Sequence, residues 1–497
     1  MNQVKKLAGQ TLIYGLGSIL PRVLNYLLLT FFYTRVLEVD KFGVLSELYA
    51  EIAIMLVIIE FGMESGYFRF ARKENDPRKV FSHTLGFVLI MAVIWIVVVI
   101  LNTREIANLL RYSEYPEYIR WMAWIIALDA VTMIPFAKIR QEERPGRFAR
   151  LKLLNVFINV VIVMTFLWIF PQIRKHGGEI PQWLYNPDIG VGYVFISNLA
   201  ASAIMLLLLL PELRSFRFTF DAGLMKKILW YSAPLVIVGI AGSINDSGDK
   251  IILKFLYPDP EKAQEMVGEY SASYRIAILI TLFTQMFRYA FEPFLFKVSG
   301  DKNATSTYAS VMKYFVLSAL VIFLGTTLYI DGFQLLVGEK ARGGLVIVPI
   351  VMMGYLFLGI YYNLSVWYKI KDLTRYAAIM ACTGAAVTLA LNILLIPRYG
   401  YLGSAVATLA CYLVMMVVSY LWGHRVYPVP YEIGRMILWI VAAIIIYSIS
   451  AVIRPDGLWL RLALNTLLMG LFVALVAFRE KALVRSLLNS VKEKMHK

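Results

Sequence analysis

The run Val80–Leu101, VFSHTLGFVLIMAVIWIVVVIL, decides the class of fold, because it contains no Asp, Glu, Lys or Arg. A helix of about 20 apolar residues is long enough to cross the hydrocarbon core of a bilayer. The whole chain is similar in character: 59% of its 497 residues are hydrophobic, 16% are charged and the mean hydropathy is +0.67. Soluble proteins average roughly 25% charged residues. We therefore predict an all-α polytopic membrane protein and exclude a soluble enzyme, a disordered chain and a disulfide-rich scaffold.

Fourteen apolar runs of this kind predict about fourteen transmembrane helices. Their bounds are Thr11–Tyr33, Phe42–Met63, Val80–Leu101, Trp121–Ala137, Leu151–Phe170, Ile189–Leu210, Ile228–Tyr257, Gly268–Phe294, Tyr308–Ile330, Leu345–Tyr368, Tyr376–Ile396, Tyr401–Trp422, Met436–Ile453 and Leu458–Phe478.

The net charge of +16 is a topology signal, because most of the 49 Lys and Arg residues fall in alternate loops. Basic residues in short loops mark the cytoplasmic side. One such loop contains Arg72, and another contains Arg144. We predict that both termini are cytoplasmic and that no nucleic acid is bound. The tail, residues 479–497, has an amphipathic basic pattern that suits a helix on the inner leaflet.

An internal repeat at an offset of 225 residues predicts the domain organisation. Gly43-x2-Ser46-x2-Tyr49 recurs as Gly268-x2-Ser271-x2-Tyr274. The repeat is parallel, so its pseudo-two-fold axis would lie along the membrane normal, with a site between the repeats near the midplane. The predicted domains are an N-lobe at 1–222 with spans 1–6, a C-lobe at 223–425 with spans 7–12, spans 13 and 14 at 426–478, and the tail.

Four basic side chains inside the predicted spans suggest a cationic cavity that binds an anion. A charge at bilayer depth is costly and usually faces a partner or a cavity. Arginine binds phosphate groups bidentately and keeps its charge. The candidate substrate-binding residues are Arg22, Arg275, Arg288 and Lys250. A local alternative stays open, since Glu292 follows Arg288, and Lys250 follows Asp246, at the four-residue spacing of a helical ion pair.

Acidic residues in the spans are candidates for carrying a coupling proton or for neutralising these cations. A buried carboxyl group can bind a proton near neutral pH, and pairing with arginine is its other common role. The residues concerned are Glu51, Glu60, Asp129, Asp246 and Asp249.

Several motifs of other protein classes are absent from the sequence. No G-x4-G-K-[ST] nucleotide loop occurs, and the four His residues have no metal-ligand spacing, so we expect no metal and no cofactor. Glu38 and Asp40 in the first outer loop leave one enzyme alternative, a membrane glycosyltransferase that uses a lipid-linked donor. Such enzymes usually carry a large outer domain, which this chain lacks.

The chain resembles the oligosaccharide flippases, or polysaccharide biosynthesis proteins, of the multidrug/oligosaccharidyl-lipid/polysaccharide (MOP) superfamily over nearly its whole length. The most specific stretch runs from Asn392 to Thr408, NILLIPRYGYLGSAVAT, and Ser404 stands where the family usually has Ala. Three further matching stretches are Tyr231-Ser232-Ala233-Pro234-Leu235, Asp249-Lys250 and Gly268-Glu269-Tyr270-Ser271-Ala272-Ser273-Tyr274-Arg275-Ile276.

The resemblance implies a bacterial inner-membrane flippase that moves an undecaprenyl-diphosphate-linked oligosaccharide by alternating access. It would be a monomer that is not an enzyme, with a polysaccharide polymerase and glycosyltransferases as candidate partners. Two alternatives within the superfamily stay open. Fourteen spans also resemble the lipid II flippases of peptidoglycan synthesis, whereas multidrug exporters usually have twelve spans and cavities that suit cations.

Overall fold

The computed structural model describes residues 30–74, 76–217, 221–373 and 375–480, without the side chains at positions 290, 292, 293 and 296. These ranges are all-helical apart from their turns and loops, and no β-strand occurs in them. Arg22, most of the first predicted span and almost all of the predicted tail lie outside the described residues.

The described helices follow one another with short connections, and residues 30–36 are also helical. In chain order they are α1 (Val39–Glu60), α2 (Met63–Phe70), α3 (Pro77–Leu101), α4 (Thr103–Leu109), α5 (Pro116–Gln141), α6 (Pro145–Met164), α7 (Phe170–Lys175), α8 (Gly192–Leu213), α9 (Ala222–Ser243), α10 (Asp249–Leu256), α11 (Pro260–Ala277), α12 (Leu279–Val298), α13 (Ala304–Leu328), α14 (Ile330–Phe333), α15 (Val348–Leu364), α16 (Val366–Ile370), α17 (Arg375–Tyr399), α18 (Tyr401–Val426), α19 (Ile433–Ile453) and α20 (Leu458–Arg479). Turns of π-helix at Thr165–Ile169 and Ile244–Gly248 join α6 to α7 and α9 to α10.

Twelve helical stretches of the described chain are long and apolar enough to cross a membrane. They correspond to all the predicted spans except the first and the eighth. The eighth is divided at Ile278 between α11 and α12, and α11 carries several charged side chains that lower its hydropathy. The prediction of an all-helical, multi-pass membrane protein is confirmed, and the count of fourteen spans stays a prediction.

The chain forms two compact units. Unit 1 comprises Met1–Arg275, Val337–Gly344 and Thr374–Cys411. Unit 2 comprises Ile276–Leu336, Leu345–Leu373 and Tyr412–Lys497. The predicted lobes at 1–222 and 223–425 rest on internal homology, and they stay a prediction beside this division by packing.

Each unit is organised around one well-buried helix. In unit 1, α5 packs between α3 and α8 and buries most of its apolar residues, whereas α6 buries only Phe148 and Val163. In unit 2, α13 packs against α15 and α19. Exposed apolar side chains on the outer helices are expected where the surrounding solvent is lipid rather than water.

The π-helical turn in the seventh span is held by polar contacts to α17. Asn245 in this turn donates from Nδ2 to the carbonyl oxygen of Ala381 at 3.2 Å, and its Oδ1 accepts from Thr388 Oγ1 at 3.1 Å. A π-helical turn inserts one extra residue into a helix and is frequent at functional sites. Here it separates α9 from the charged start of α10, which contains Asp249 and Lys250.

The two glycines of the sequence repeat make the closest backbone approach between α1 and α11. A Cβ atom added to Gly43 would lie 2.0 Å from the carbonyl oxygen of Gln264, and one added to Gly268 would lie 2.0 Å from that of Val39. The contact is reciprocal, since each glycine faces the residue four positions before the other. A two-fold relation between the segments would produce this reciprocity, and the repeat itself stays a prediction.

We expect Gly43→Ala or Gly268→Ala to destabilise the protein, because α1 and α11 must separate to admit a methyl group. Overpacking of this kind costs about 1–3 kcal/mol. The measurement is thermal unfolding of the purified protein in detergent. Gly470→Ala is the matched control, because a Cβ atom on this helical glycine meets nothing within 4 Å. A Gly268→Ala variant as stable as the control would contradict this account of the crossing.

Candidate functional site

Asp249 and Lys250, at the start of α10, form a buried ionic group with α11. Lys250 Nζ lies 3.2 Å from Asp249 Oδ1, and the hydroxyl of Tyr270 donates to Asp249 Oδ2. Asp249 is only 1% exposed. A buried carboxylate requires such compensation by a charge and hydrogen bonds. The carboxylate therefore holds both the ammonium group and the phenol in fixed positions.

Aromatic rings surround the ammonium group of Lys250. Its Nζ lies 4.3 Å from the centroid of the Tyr274 ring, which suits a cation–π interaction. The Tyr274 hydroxyl donates to the carbonyl oxygen of Asp246 at 3.2 Å, so this ring is anchored to the π-helical turn. The structure thus pairs Lys250 with its neighbour Asp249, where the sequence also offered Asp246 as a partner.

Arg275, near the end of α11, contacts residues 30–36 and α1. Its guanidinium group donates to Thr30 Oγ1 at 2.7 Å and lies 4.9 Å from the centroid of the Phe42 ring. The side chain is half-buried. A guanidinium group held by a neutral hydroxyl and a ring keeps its positive charge, so its position is compatible with binding an anion.

A second buried ion pair joins α1 to α10. Lys254 Nζ lies 3.0 Å from Glu47 Oε2 and donates to the carbonyl oxygen of Leu110 at 2.7 Å. The hydroxyl of Tyr112, in the loop after α4, also donates to Glu47 Oε2. Burial and the adjacent Glu47 charge raise the pKa of Tyr112 well above its ordinary value, so the phenol stays a neutral donor. One turn along α1, Glu51 is also buried.

Asp129, in the middle of α5, belongs to a polar chain between α1 and α8. Its Oδ1 accepts from Ser202 Oγ at 2.6 Å, and Ser202 Oγ lies 3.5 Å from Asn198 Oδ1. Asn198 Nδ2 in turn donates to the Tyr49 hydroxyl at 2.8 Å. Glu60 is half-buried and interacts electrostatically with Asp129 and Lys152.

Two of the four predicted cations are described in unit 1, and one is described in unit 2. In unit 2, the guanidinium carbon of Arg288 lies 4.1 Å from the centroid of the Tyr362 ring. Its predicted helical partner, Glu292, has no described side chain, and Arg22 lies outside the described residues. Lys250 and Arg275 occur on α10 and α11 of unit 1. Together with Arg22 and Arg288, they stay predictions as substrate ligands.

No group of three or more His, Cys, Asp or Glu side chains that could hold a metal ion is present in the part of the chain that the structure describes. The acids described above contact hydroxyl, phenol or ammonium groups. Their contacts are therefore ion pairs and hydrogen bonds.

Residues 7–299, more than half of the chain, match the polysaccharide biosynthesis protein family. The chain belongs to this family. Among curated protein sequences, none matches it. The resemblance found in the sequence motifs is confirmed by the family match.

Solved structures with a similar fold belong to two kinds of membrane protein. The lipid II flippase MurJ, in an inward closed conformation, has a TM-score of 0.70 at 15% identity, with 94% of this chain and 99% of that chain covered. An inward-facing multidrug-resistance MATE family transporter of the MOP superfamily has a TM-score of 0.62 at 15% identity, with 84% and 94% covered. A Vibrio cholerae MATE transporter has a TM-score of 0.59 at 12% identity, with 85% and 96% covered. The fold of this polysaccharide biosynthesis protein is thus the one that these transporters share.

Sequence reasoning missed the Glu47–Lys254 pair because its members lie 207 residues apart. One signal was available in the sequence. Lys254 follows Lys250 at the spacing that places two side chains on the same face of a helix. Two ammonium groups on one apolar helix need two acids, and Asp249 satisfies only the first.

We expect Lys254→Met to destabilise the folded protein, because it leaves the buried Glu47 carboxylate without its cation. Removing one partner of a buried ion pair costs about 3–5 kcal/mol. Unfolding of the purified protein measures the change, with Lys262→Met as the control because Lys262 has a 68% exposed side chain. Equal stability of the two variants would show that Glu47 does not depend on Lys254.

Proposed function

We propose that this protein is a flippase that moves an undecaprenyl-diphosphate-linked oligosaccharide across the bacterial inner membrane for surface polysaccharide synthesis. The observation that carries the proposal is the match of residues 7–299 to the polysaccharide biosynthesis protein family. The similarity of the fold to a lipid II flippase and to MATE transporters supports transport by alternating access. The family and its structural neighbours are transporters, so we propose no enzymatic activity.

The diphosphate group is the part of this substrate that the predicted cations would bind. A diphosphate needs concentrated positive charge and directed donors, which Arg and Lys provide. Lys250 and Arg275 are held by a carboxylate, rings and a hydroxyl within unit 1. Arg22 and Arg288 complete the proposed ligand set. A rigidly held cation loses little conformational entropy when an anion binds, and this favours affinity.

Transport would be driven by an ion gradient or by the membrane potential. The chain lacks a nucleotide-binding loop, whereas Asp129 and Glu60 are half-buried carboxyl groups within the spans. Glu51, Glu60 and Asp129 are the proposed coupling sites, and Asp246 and Asp249 are proposed to pair with cations. A charge that crosses the whole membrane potential gains or loses about 2.3 kcal/mol per 100 mV.

Lipid II is the first alternative substrate, and the fold similarity to a lipid II flippase favours it. A multidrug exporter is the second, favoured by the similarity to MATE transporters. The basic residues of the spans argue against cationic drugs, because like charges repel in a site of low dielectric constant. The glycosyltransferase alternative conflicts with the family match.

The protein would work as a monomer in the inner membrane, with both termini and the tail at 479–497 on the cytoplasmic side. Its substrate and the lipid bilayer are the expected partners. A polysaccharide polymerase and glycosyltransferases are further candidates, since their reactions use or supply the same lipid-linked sugars.

Cysteine labelling of intact cells tests the orientation. In a Cys382→Ser/Cys411→Ala background, we expect Arg72→Cys and Arg144→Cys to react with an impermeant reagent only after the membrane is opened. Trp183→Cys is the control for the outer side, because this residue lies in a predicted outer loop and is 85% exposed. Labelling of positions 72 and 144 in intact cells would reverse the proposed topology.

Variants of the proposed diphosphate ligands test the function. We expect Arg22→Ala and Arg275→Ala to insert normally and to lower flipping at least tenfold, because a charge-assisted hydrogen bond contributes about 1.5–3 kcal/mol. Arg22→Lys and Arg275→Lys should retain partial activity. The measurement is surface-polysaccharide complementation, normalised to the amount of protein in the membrane.

Arg120→Ala is the control for these variants, since Arg120 is half-exposed and pairs with Glu117 on its own helix. Full complementation by Arg22→Ala and Arg275→Ala would contradict their role as head-group ligands. Restoration of peptidoglycan synthesis without surface polysaccharide would indicate lipid II as the substrate.

A further inference from the structure

Glu47 and Glu51 form a buried carboxyl pair on α1, apart from the Asp129 and Asp249 groups. Glu47 is 0% exposed and Glu51 is 8% exposed. Glu51 follows Glu47 by one turn of α1, so the two carboxyl groups lie on the same face of the helix. The Oε1 atoms of both residues are buried and accept no hydrogen bond from any donor of the described chain.

The groups that face this pair do not balance two negative charges. Lys254 on α10 supplies one buried ammonium group, bonded to Glu47 Oε2. The Tyr112 hydroxyl donates to the same oxygen and is itself neutral. Gln264 on α11 donates to the Tyr112 hydroxyl at 3.3 Å, and Arg111 is exposed and donates to the Lys254 carbonyl oxygen at 3.3 Å. Among the residues that the structure describes, the buried part of the cluster therefore holds two carboxyl groups and one cation.

Two adjacent carboxyl groups in a site of low dielectric constant do not both ionise when only one cation is present. Because Lys254 bonds to Glu47, the proton is expected on the Glu51 side of the pair. The two Oε1 atoms, which accept no hydrogen bond from the described part of the chain, are the oxygens available to it.

We propose that Glu47 and Glu51 hold one exchangeable proton, so that this cluster is a proton-binding site of the protein. The inference deepens the proposed function by naming the proton as the coupling ion, although occupancy of the site does not depend on any substrate. Leu110 and Tyr112 connect the cluster to the loop between α4 and α5, which is predicted to face outward. Proton exchange with the outer solution would pass along this side.

Infrared difference spectroscopy of the full chain in lipid nanodiscs, recorded without substrate over a pH titration, tests the site. A protonated buried carboxyl group has its own C=O stretching band. We expect one such band to disappear on titration to high pH in the wild type and to be absent from Glu51→Gln, which mimics the protonated side chain. Glu105→Gln, at an exposed acid in α4, should retain the band.

A Glu51→Gln spectrum that keeps the band would overturn the proposal, as would a wild-type spectrum without any titrating buried carboxyl. A second variant, Glu47→Gln, removes the ion pair with Lys254. If this variant fails to fold, Glu51→Gln alone decides the test, because it retains the ion pair between Glu47 and Lys254. In vesicles with reconstituted protein, Glu51→Gln should also lose the stimulation of flipping by an imposed pH gradient. If Glu51→Gln loses the band but the wild type does not flip the lipid-linked oligosaccharide, the proton site is supported and the proposed function is refuted. The two failures are therefore distinguishable.

Discussion

The cost of removing polar groups from water inside a bilayer constrains every other feature of this structure. In the hydrocarbon core an unsatisfied backbone amide or carbonyl costs several kcal/mol, and helices satisfy these groups internally. The same cost applies to side chains. Thr34, Thr84 and Ser197 donate to the carbonyl oxygens four residues earlier in their own helices. The polar residues of the spans therefore either use the helix backbone or require a specific partner on another helix.

Charged residues meet this constraint by pairing, and the pairs determine how the helices are connected. On α10, Lys250 and Lys254 lie one turn apart, and each is held by an acid: Asp249 on the same helix and Glu47 on α1. Tyr270 on α11 and Tyr112 in the loop after α4 bond to those two carboxylates. The Lys254 ammonium group thus connects α10 to α1, and the Asp249 carboxylate connects it to α11. A change in the charge of one acid would therefore weaken a contact between helices.

The sequence was sufficient to predict the parts of the structure that depend on local composition. The run Val80–Leu101, for example, lies within α3. The partners of Lys254 and Arg275 were not predictable. Glu47 and Thr30 are distant in sequence, and hydropathy does not indicate which helices meet. The division of the eighth span at Ile278 was missed for a related reason. Hydropathy averaged over the whole span combines the polar residues of α11 with the apolar residues of α12, and this average resembles that of one continuous lipid-exposed helix.

Unit 2 shows the same principle at the ends of its helices rather than within the spans. Near the predicted inner end of α13, Lys313 bonds to Glu432 at 2.8 Å and to the buried Glu480 at 3.2 Å, which lie beside α19 and α20. Past the other end of α13, Asp331 pairs with Arg461 of α20 at 2.9 Å. Ion pairs at both ends of α13 oppose both the sliding and the tilting of α13 relative to its neighbours, because either motion breaks at least one of these pairs. The ion pairs therefore hold the two C-terminal spans, α19 and α20, against α13. If α13 moves during transport, α19 and α20 are expected to move with it.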